Sequence, residues 1–285
     1  MVRGNGMVAA RRLWGWLVLA LIAVLAATGP SSAQTPTPFA FWQNDAGVVL
    51  RPLGGPVPNW DVTIGMGAAV IPLYEGSDHY RTVPSPAFDI RYKDLLFLSD
   101  GDGLGVNLLR GETYRAGVAL GYDVGRTQHA SGRLNGIGGI PPTPVARAFA
   151  EAYVLPFIFS ADIRRYIGGT DGLAGDIGAY MPVIGTETLV VFVGPGITFA
   201  DDRYVRKYFG ISPSQAAPHS GLPLYQAGGG ATNANFGVSI DYHYTDNWMI
   251  NGDIGYERML GDAAGSPIVQ SKNQIGVAVT IAYEF

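Results

Sequence analysis

Period-two alternation runs from Val62 to the last residue. It is cleanest at the end of the chain. Ile275, Val277, Val279, Ile281, Tyr283 and Phe285 share one parity, and Gln274, Gly276, Ala278, Thr280, Ala282 and Glu284 share the other. Successive side chains on a strand point to opposite faces, so one face here is continuously apolar and the other small or polar. Taken alone, that pattern suits a soluble core as well as a lipid-facing wall around a wet lumen.

Eleven earlier segments carry the same alternation, with less clarity in some. Val62, Ile64, Met66 and Val70 oppose Thr63, Gly65 and Gly67. Phe88, Ile90 and Tyr92 oppose Asp89 and Arg91. A short run follows at 95–99, and Leu104, Val106 and Leu108 oppose Gly105 and Asn107. Tyr114 to Val124 alternates against Arg115, Gly117, Ala119, Gly121 and Asp123. Residues 145–155 are ambiguous, because Glu151 shares parity with Phe149 and Tyr153. Further strands are predicted over 157–164, 176–181, 189–199, 235–244 and 248–257. Tight turns near Lys93-Asp94, Gly111-Glu112, Pro156, Gly185-Thr186 and Asp246-Asn247 alternate with connections near 75–80, 99–103, 126–144, 169–171, 201–231 and 261–271, which include all the long ones. That sorting predicts an all-β, transmembrane, antiparallel up-and-down barrel of about 12 strands (roughly 10–14), with short periplasmic turns and longer outer loops. Tyr74, Tyr92, Trp248, Tyr283 and Phe285 near strand ends are expected to form interfacial girdles.

The N-terminus agrees. Arg3, Arg11 and Arg12 precede an apolar run from Leu13 to Ala27, and Ser31 and Ala33 are small residues at the positions before a cleavage site. A secretory signal peptide over 1–33 is expected, then a Pro- and Gly-rich periplasmic lead-in over 34–60 and a barrel over 61–285. An uncleaved anchor is the alternative, but the run is shorter than the ~20 residues a spanning helix needs. Cysteine is absent, so neither disulfides nor thiolate metal sites arise. Charged residues make up 15%, against about 25% in soluble domains. A net charge of −4 gives no sign of a nucleic-acid partner.

Several segments together resemble the MltA-interacting protein (MipA)/OmpV family of outer-membrane proteins. They are Pro72-Leu-Tyr-Glu-Gly-Ser-Asp78, Gly121-Tyr-Asp-Val-Gly-Arg126, Asp201-Asp-Arg-Tyr-Val-Arg-Lys-Tyr-Phe-Gly-Ile-Ser212, Gly265-Ser-Pro-Ile-Val269 and Ala282-Tyr-Glu-Phe285. The resemblance implies an outer-membrane barrel in contact with lipid and lipopolysaccharide. It also implies insertion by the barrel-assembly machinery, with Tyr283 and Phe285 as the signal. For the named member it implies a scaffold between a lytic transglycosylase and a murein synthase; other members are surface antigens or adhesins. It carries no catalytic residues and no cofactor.

The residues leave three kinds of site to weigh. For catalysis, Asp78-His79 and His219-Ser220 are adjacent pairs, but sequence neighbours on extended backbone usually point apart, and no Gly-x-Ser-x-Gly elbow is present. A non-enzymatic protein is expected. For metal, Ser99-Asp-Gly-Asp-Gly103 lacks the later bidentate Glu of an EF-hand and is expected to be a tight acidic turn. By parity, Arg115, Asp123, Asp162, Arg164, Asp176, Asp241, His243, Asp253, Glu257 and Glu284 face inward. They form either a polar pore or ligand pocket, or an internal salt-bridge network that plugs a small barrel. The long loop 201–231 opens with Arg203, Tyr204, Arg206, Lys207 and Tyr208, a candidate constriction or contact segment. If it folds inward, Arg203, Arg206 and Lys207 are expected to meet the inward carboxylates. The functional expectation is a scaffold or contact protein; the alternatives are a small-solute channel, a ligand-binding barrel or an adhesin.

Overall fold

The computed structural model describes residues 57–216 and 220–285. The expected signal peptide and nearly all of the lead-in lie outside the described residues. Twelve strands follow in order: β1 Trp60–Pro72, β2 Tyr80–Tyr92, β3 Leu96–Ser99, β4 Gly103–Arg110, β5 Tyr114–Asp123, β6 Thr143–Val154, β7 Phe157–Tyr166, β8 Leu173–Gly185, β9 Leu189–Ala200, β10 Gly230–His243, β11 Trp248–Met259 and β12 Asn273–Glu284. Each pairs antiparallel with its sequence neighbours, and β1 pairs with β12, from Thr63 opposite Glu284 to Val70 opposite Val277. The sheet is therefore a closed up-and-down barrel. Closure satisfies the ladder hydrogen bonds around the wall except along the β2 edge beyond β3, and such closure is the condition for crossing lipid with strands.

The alternation read from the sequence sets which face is which. Ile254, Tyr256, Val277, Val279 and Ile281 point outward and exposed, while Asp253, Glu257, Gln274, Ala278 and Thr280 point inward and are buried. An apolar outside with a polar inside is the reverse of a soluble core. All tight turns fall at one end and the longer loops at the other. At the turn end Trp60 meets Tyr92 with ring centroids 4.9 Å apart, and Trp248, Tyr283 and Phe285 make successive edge contacts at 5.0 and 4.8 Å. This is one aromatic girdle. Tyr74 does not belong to a girdle. It is fully buried in the first long loop, where its hydroxyl donates to the Ile268 carbonyl at 3.0 Å and to Gln270 Oε1 at 2.7 Å.

The ambiguous segment, β6, is a strand with its large residues turned inward. Val145, Arg147, Phe149, Glu151 and Tyr153 face the lumen, and Ala146, Ala148, Ala150 and Ala152 face outward. The inversion has a local cause. Gly117 lies opposite Phe149 on the neighbouring strand, and a Cβ there would come within 2.3 Å of the Val106 carbonyl and 2.8 Å of the Phe149 ring. Phe97 covers Gly105 in the same way, and the two rings meet edge-on at 5.8 Å. Ring-over-glycine pairs let the wall bend sharply while the lumen stays filled.

β3 is short, so β2 has a strand partner on that side only over Asp89–Tyr92. The Phe88 carbonyl accepts from the Asp100 amide at 3.1 Å, which shows that even-numbered residues of β2 present their backbone groups to the β3 side. Pro84 and Pro86 share that parity. The sequence thus places two residues without an N–H where the edge above Asp89 has no strand partner among the described residues.

The inner-wall crowding makes a direct prediction. Gly117→Ala should lower stability by roughly 1–3 kcal/mol. Urea unfolding in detergent micelles measures it, and adding Phe149→Leu should recover part of the loss by relieving the ring contact.

Candidate functional site

The site to be judged is the lumen and its mouth at the long-loop end. Two sets of residues decide its character: the charges on the inner wall, and the loops that fold over it.

On the β2–β9 side of the wall the charges are paired. Arg91 binds Asp89 at 2.8 Å, and Arg115 binds Glu151 at 2.6 Å. A continuous chain then crosses four staves: Asp102 with Arg147, Arg147 with Asp162 at 3.1 Å, Asp162 with Arg164 at 3.3 Å, Arg164 with Asp176, and Asp176 accepting from Thr198 Oγ1 at 2.5 Å. In strand register Arg147 faces Arg164, and Asp162 faces Asp176. Like charges directly opposite would repel. They are tolerated because each arginine sits diagonally between two aspartates. Between the two open expectations for these residues, the geometry on this side is the internal salt-bridge network.

The opposite side differs. Asp241, Asn251, Asp253, Asn233, Asn235, Glu257 and Gln274 are buried on β10–β12, with Asp241 accepting from Asn251 Nδ2 at 2.8 Å. His243 faces inward, half-buried. No lysine or arginine occupies an inward position on these three strands.

Loops fold over the mouth. Helix α1, Asp202–Phe209, begins where the Asp201 side chain accepts from the Tyr204 amide at 2.8 Å. Asp202 in its first turn and Arg206 and Lys207 in its last suit the helix dipole. Tyr204, Val205, Tyr208 and Phe209 recur on one face and are buried. Tyr204 stacks on Tyr208 at 4.5 Å and packs against Tyr166 at 5.0 Å. This face joins Ile140, Val145, Met259, and Ala263 and Ala264 of the short helix α2, Gly261–Gly265, in one apolar cluster. The Tyr208 hydroxyl donates to Asp123 at 2.7 Å, and Arg126 donates to the Tyr208 carbonyl at 2.8 Å. A second cluster, Tyr74, Leu134, Ile137, Ile211, Leu222 and Ile268, is built wholly from loop residues. Each such side chain contributes about 1.5–3 kcal/mol on burial, so these loops pack as a cap with a core of its own.

The expected inward turn of the helix cations does not occur. Arg203, Arg206 and Lys207 are exposed, and Arg203 pairs with Asp171 at the surface at 3.2 Å. The helix does fold into the mouth, but its aromatic face points in, because the apolar cluster beneath rewards tyrosine and phenylalanine and offers the cations no partner. Adjacent Asp78 and His79 do meet, with Asp78 Oδ1 and His79 Nδ1 2.6 Å apart, against the expectation for extended backbone; both are exposed in a turn. His219 lies outside the described residues. Ser99–Gly103 is a tight turn whose Asp102 is tied to Arg147. Parity had not singled out Asp89, Arg91, Arg147 and Glu151 as a network. The loop residue Glu75 carried no periodic signal at all. It is buried, accepts from Asn233 Nδ2 at 2.9 Å, and burial pushes its carboxyl up to about 7 against that bond and the pull of Arg126.

The chain was compared with known proteins. The family model described as MltA-interacting protein MipA matches residues 64–285. Outer membrane protein OmpV of Vibrio cholerae serotype O1 is 36% identical over 102 residues, which is 36% of this chain and 38% of that protein. Outer membrane protein Omp26La of Vibrio anguillarum is 35% identical over the same length and the same shares. The matched stretch thus spans well under half of either relative. Among solved structures, the COG4313 outer membrane channel from Pseudomonas putida F1 superposes with a TM-score of 0.41 at 8% identity, covering 83% of this chain and 99% of that one. The KdgM porin gives 0.38 at 7%, covering 79% and 99%.

Two predictions rest on the wall and the cap. Arg164→Ala leaves Asp176 without a cation and Asp162 with Arg147 alone, and should lower stability by about 3–5 kcal/mol. Arg203→Ala, at the surface, should change it by less than about 1 kcal/mol in the same urea titration. For Glu75, the folded value of about 7 exceeds the ordinary value of 4.5 that the unfolded chain has, so the folded state holds the proton more tightly. Its contribution is fully present below about 4.5 and is lost as the pH rises through about 7. With a chelator present, Tm should fall across that window, and Glu75→Gln should flatten the slope. The charges acting on Glu75 are Arg126, Asp123, Asp176 and Glu257.

Proposed function

The chain belongs to the MltA-interacting protein MipA family, a barrel of the outer membrane, and from that premise we propose that it is a non-enzymatic scaffold for murein machinery. Its partners, on this reading, are a lytic transglycosylase and a murein synthase engaged from the periplasm. The observation that carries the choice is the cap. Tyr204, Tyr208 and Phe209 close the mouth, and the arginine–aspartate chain crosses the wall below, which favours a contact protein over an open channel. With the outer end occupied by the chain's own loops, the turn end is the face this reading assigns to partners. Leu155, in the tight turn after β6, is 92% exposed there and Tyr244 is 72% exposed. Such side chains at the periplasmic rim suit a protein partner or the lipid interface.

Planar-bilayer recording tests the closed state. The intact barrel should show no stable conductance, and deletion of residues 204–228 should create one. Stable conductance from the intact protein would favour the small-solute channel instead. Affinity capture tests the scaffold: detergent-solubilised barrel should retain a lytic transglycosylase, and Leu155→Asp should weaken that retention. Failure of the intact barrel to retain any murein hydrolase or synthase would remove the scaffold reading.

A further inference from the structure

The carboxylate-rich side of the lumen gathers oxygens that nothing among the described residues satisfies. Asn235 and Gln274 flank Glu257 in register on the two neighbouring strands, and Asn233 lies two residues along from Asn235 on the same face. Glu75 descends from the first outer loop and lies within electrostatic reach of Glu257. All five side chains are at least nine-tenths buried. The amide groups of two of them are turned to the loop: Asn233 Nδ2 donates to Glu75 Oε1 at 2.9 Å, and Gln274 Nε2 donates to the Ser77 carbonyl at 3.1 Å. What remains is Glu75 Oε2, both oxygens of Glu257, Asn233 Oδ1, Asn235 Oδ1 and Gln274 Oε1, all closed to solvent and without a hydrogen-bond partner among the described residues.

Buried oxygens of this kind must be satisfied by something. Without a cation, the only donors left for these six oxygens are protons on the two glutamates and Asn235 Nδ2, which is itself buried without a partner among the described residues. Arg126, the cation that acts on Glu75, donates to the Tyr208 carbonyl, and β10–β12 offer no inward lysine or arginine. Asp176, the other carboxylate acting on Glu257, is already held by Arg164 and Thr198. A single hard cation accepts about six to eight oxygens from carboxylates and amides at once, and calcium, unlike magnesium, does so without retaining most of its water.

We propose that Glu75, Glu257, Asn233, Asn235 and Gln274 form a binding site for one calcium ion at the outer end of the lumen. Two carboxylates and three amides supply the ligands; no cluster of three or more acidic or imidazole groups is gathered for a metal among the described residues. The ion neutralises the two glutamates. It also pins the first outer loop to β10, β11 and β12, directly beneath the cap. The site is independent of the scaffold reading, and a protein without murein partners could still hold it.

The test uses the mature chain in detergent micelles. Calcium at about a hundredfold excess over its dissociation constant should raise Tm by roughly 5–10 °C over the chelated protein. Terbium should bind in its place and luminesce on tyrosine excitation, with calcium displacing it. Both responses should be lost in Glu257→Gln and in Glu75→Gln, the second being a loop substitution that leaves the barrel wall untouched. Asp246→Asn, in a turn at the other end, should keep both. Three outcomes overturn the site: a wild-type Tm indifferent to calcium and chelator; responses that survive in both glutamate variants, which places the ion elsewhere; or a Glu257→Gln protein that is more stable and calcium-blind alongside a calcium-blind wild type, which means that the carboxyls hold protons.

Discussion

A closed strand wall in lipid leaves its inward side chains only one another, water and whatever enters the lumen. Backbone closure is obligatory because no donor or acceptor in the wall can turn to hydrocarbon for a partner. Period-two alternation then sends every second side chain inward. In this barrel those positions carry Arg91, Arg115, Arg147 and Arg164 together with Asp89, Glu151, Asp162 and Asp176, all buried or nearly so. A charge in such a place is costly alone and tolerable in an alternating chain. The diagonal order of acids and bases follows from that constraint, as does the rigidity it confers on the β2–β9 half of the wall.

The cap is the second consequence. An open mouth would wet the network and weaken each pair, since the same charges attract far less strongly in water. The loops above it exclude water with apolar side chains that the wall itself cannot supply. Tyr204, Val205, Tyr208 and Phe209 come from one helix, and Tyr74, Leu134, Ile137, Ile211, Leu222 and Ile268 come from the surrounding loops. A polar tie joins cap to wall where Tyr208 meets Asp123, and Arg126 of the following loop donates to the Tyr208 carbonyl. Cap and network therefore depend on each other.

The strands were legible because alternation is local and periodic, and the twelve segments read from it lie within or close to the twelve observed strands. Their inward charges were legible for the same reason. Partners were not, because pairing depends on register across neighbouring strands, and a diagonal contact such as Arg147 with Asp162 has no signature in either strand alone. β6 was obscured because covering Gly117 placed Phe149 on the lumen side and left alanines for the lipid. The cap was hidden more deeply. Its residues are scattered from Tyr74 to Ile268 without a period, and only α1 left a local trace in Asp201, the spacing of Tyr204, Val205, Tyr208 and Phe209, and the basic last turn.

The two halves of the wall meet one constraint in different ways. On β2–β9 the positive partners are covalently part of the chain, so the pairing needs no cation from solution. On β10–β12 they are missing: Asp241, Asp253, Glu257 and Glu284 face a lumen to which those strands contribute only His243 as a basic group. A wall assembled for stability alone would place arginines here as it does opposite. The oxygens on this half that no described residue satisfies make it responsive to what the solution provides, whether protons or cations. Its upper end touches Glu75 of the first outer loop, which Tyr74 ties to the Ile268 loop in the core of the cap. An ion at the proposed site would therefore couple the stability of the outer closure to its own binding, with the arginine-laced half as the other side of the frame.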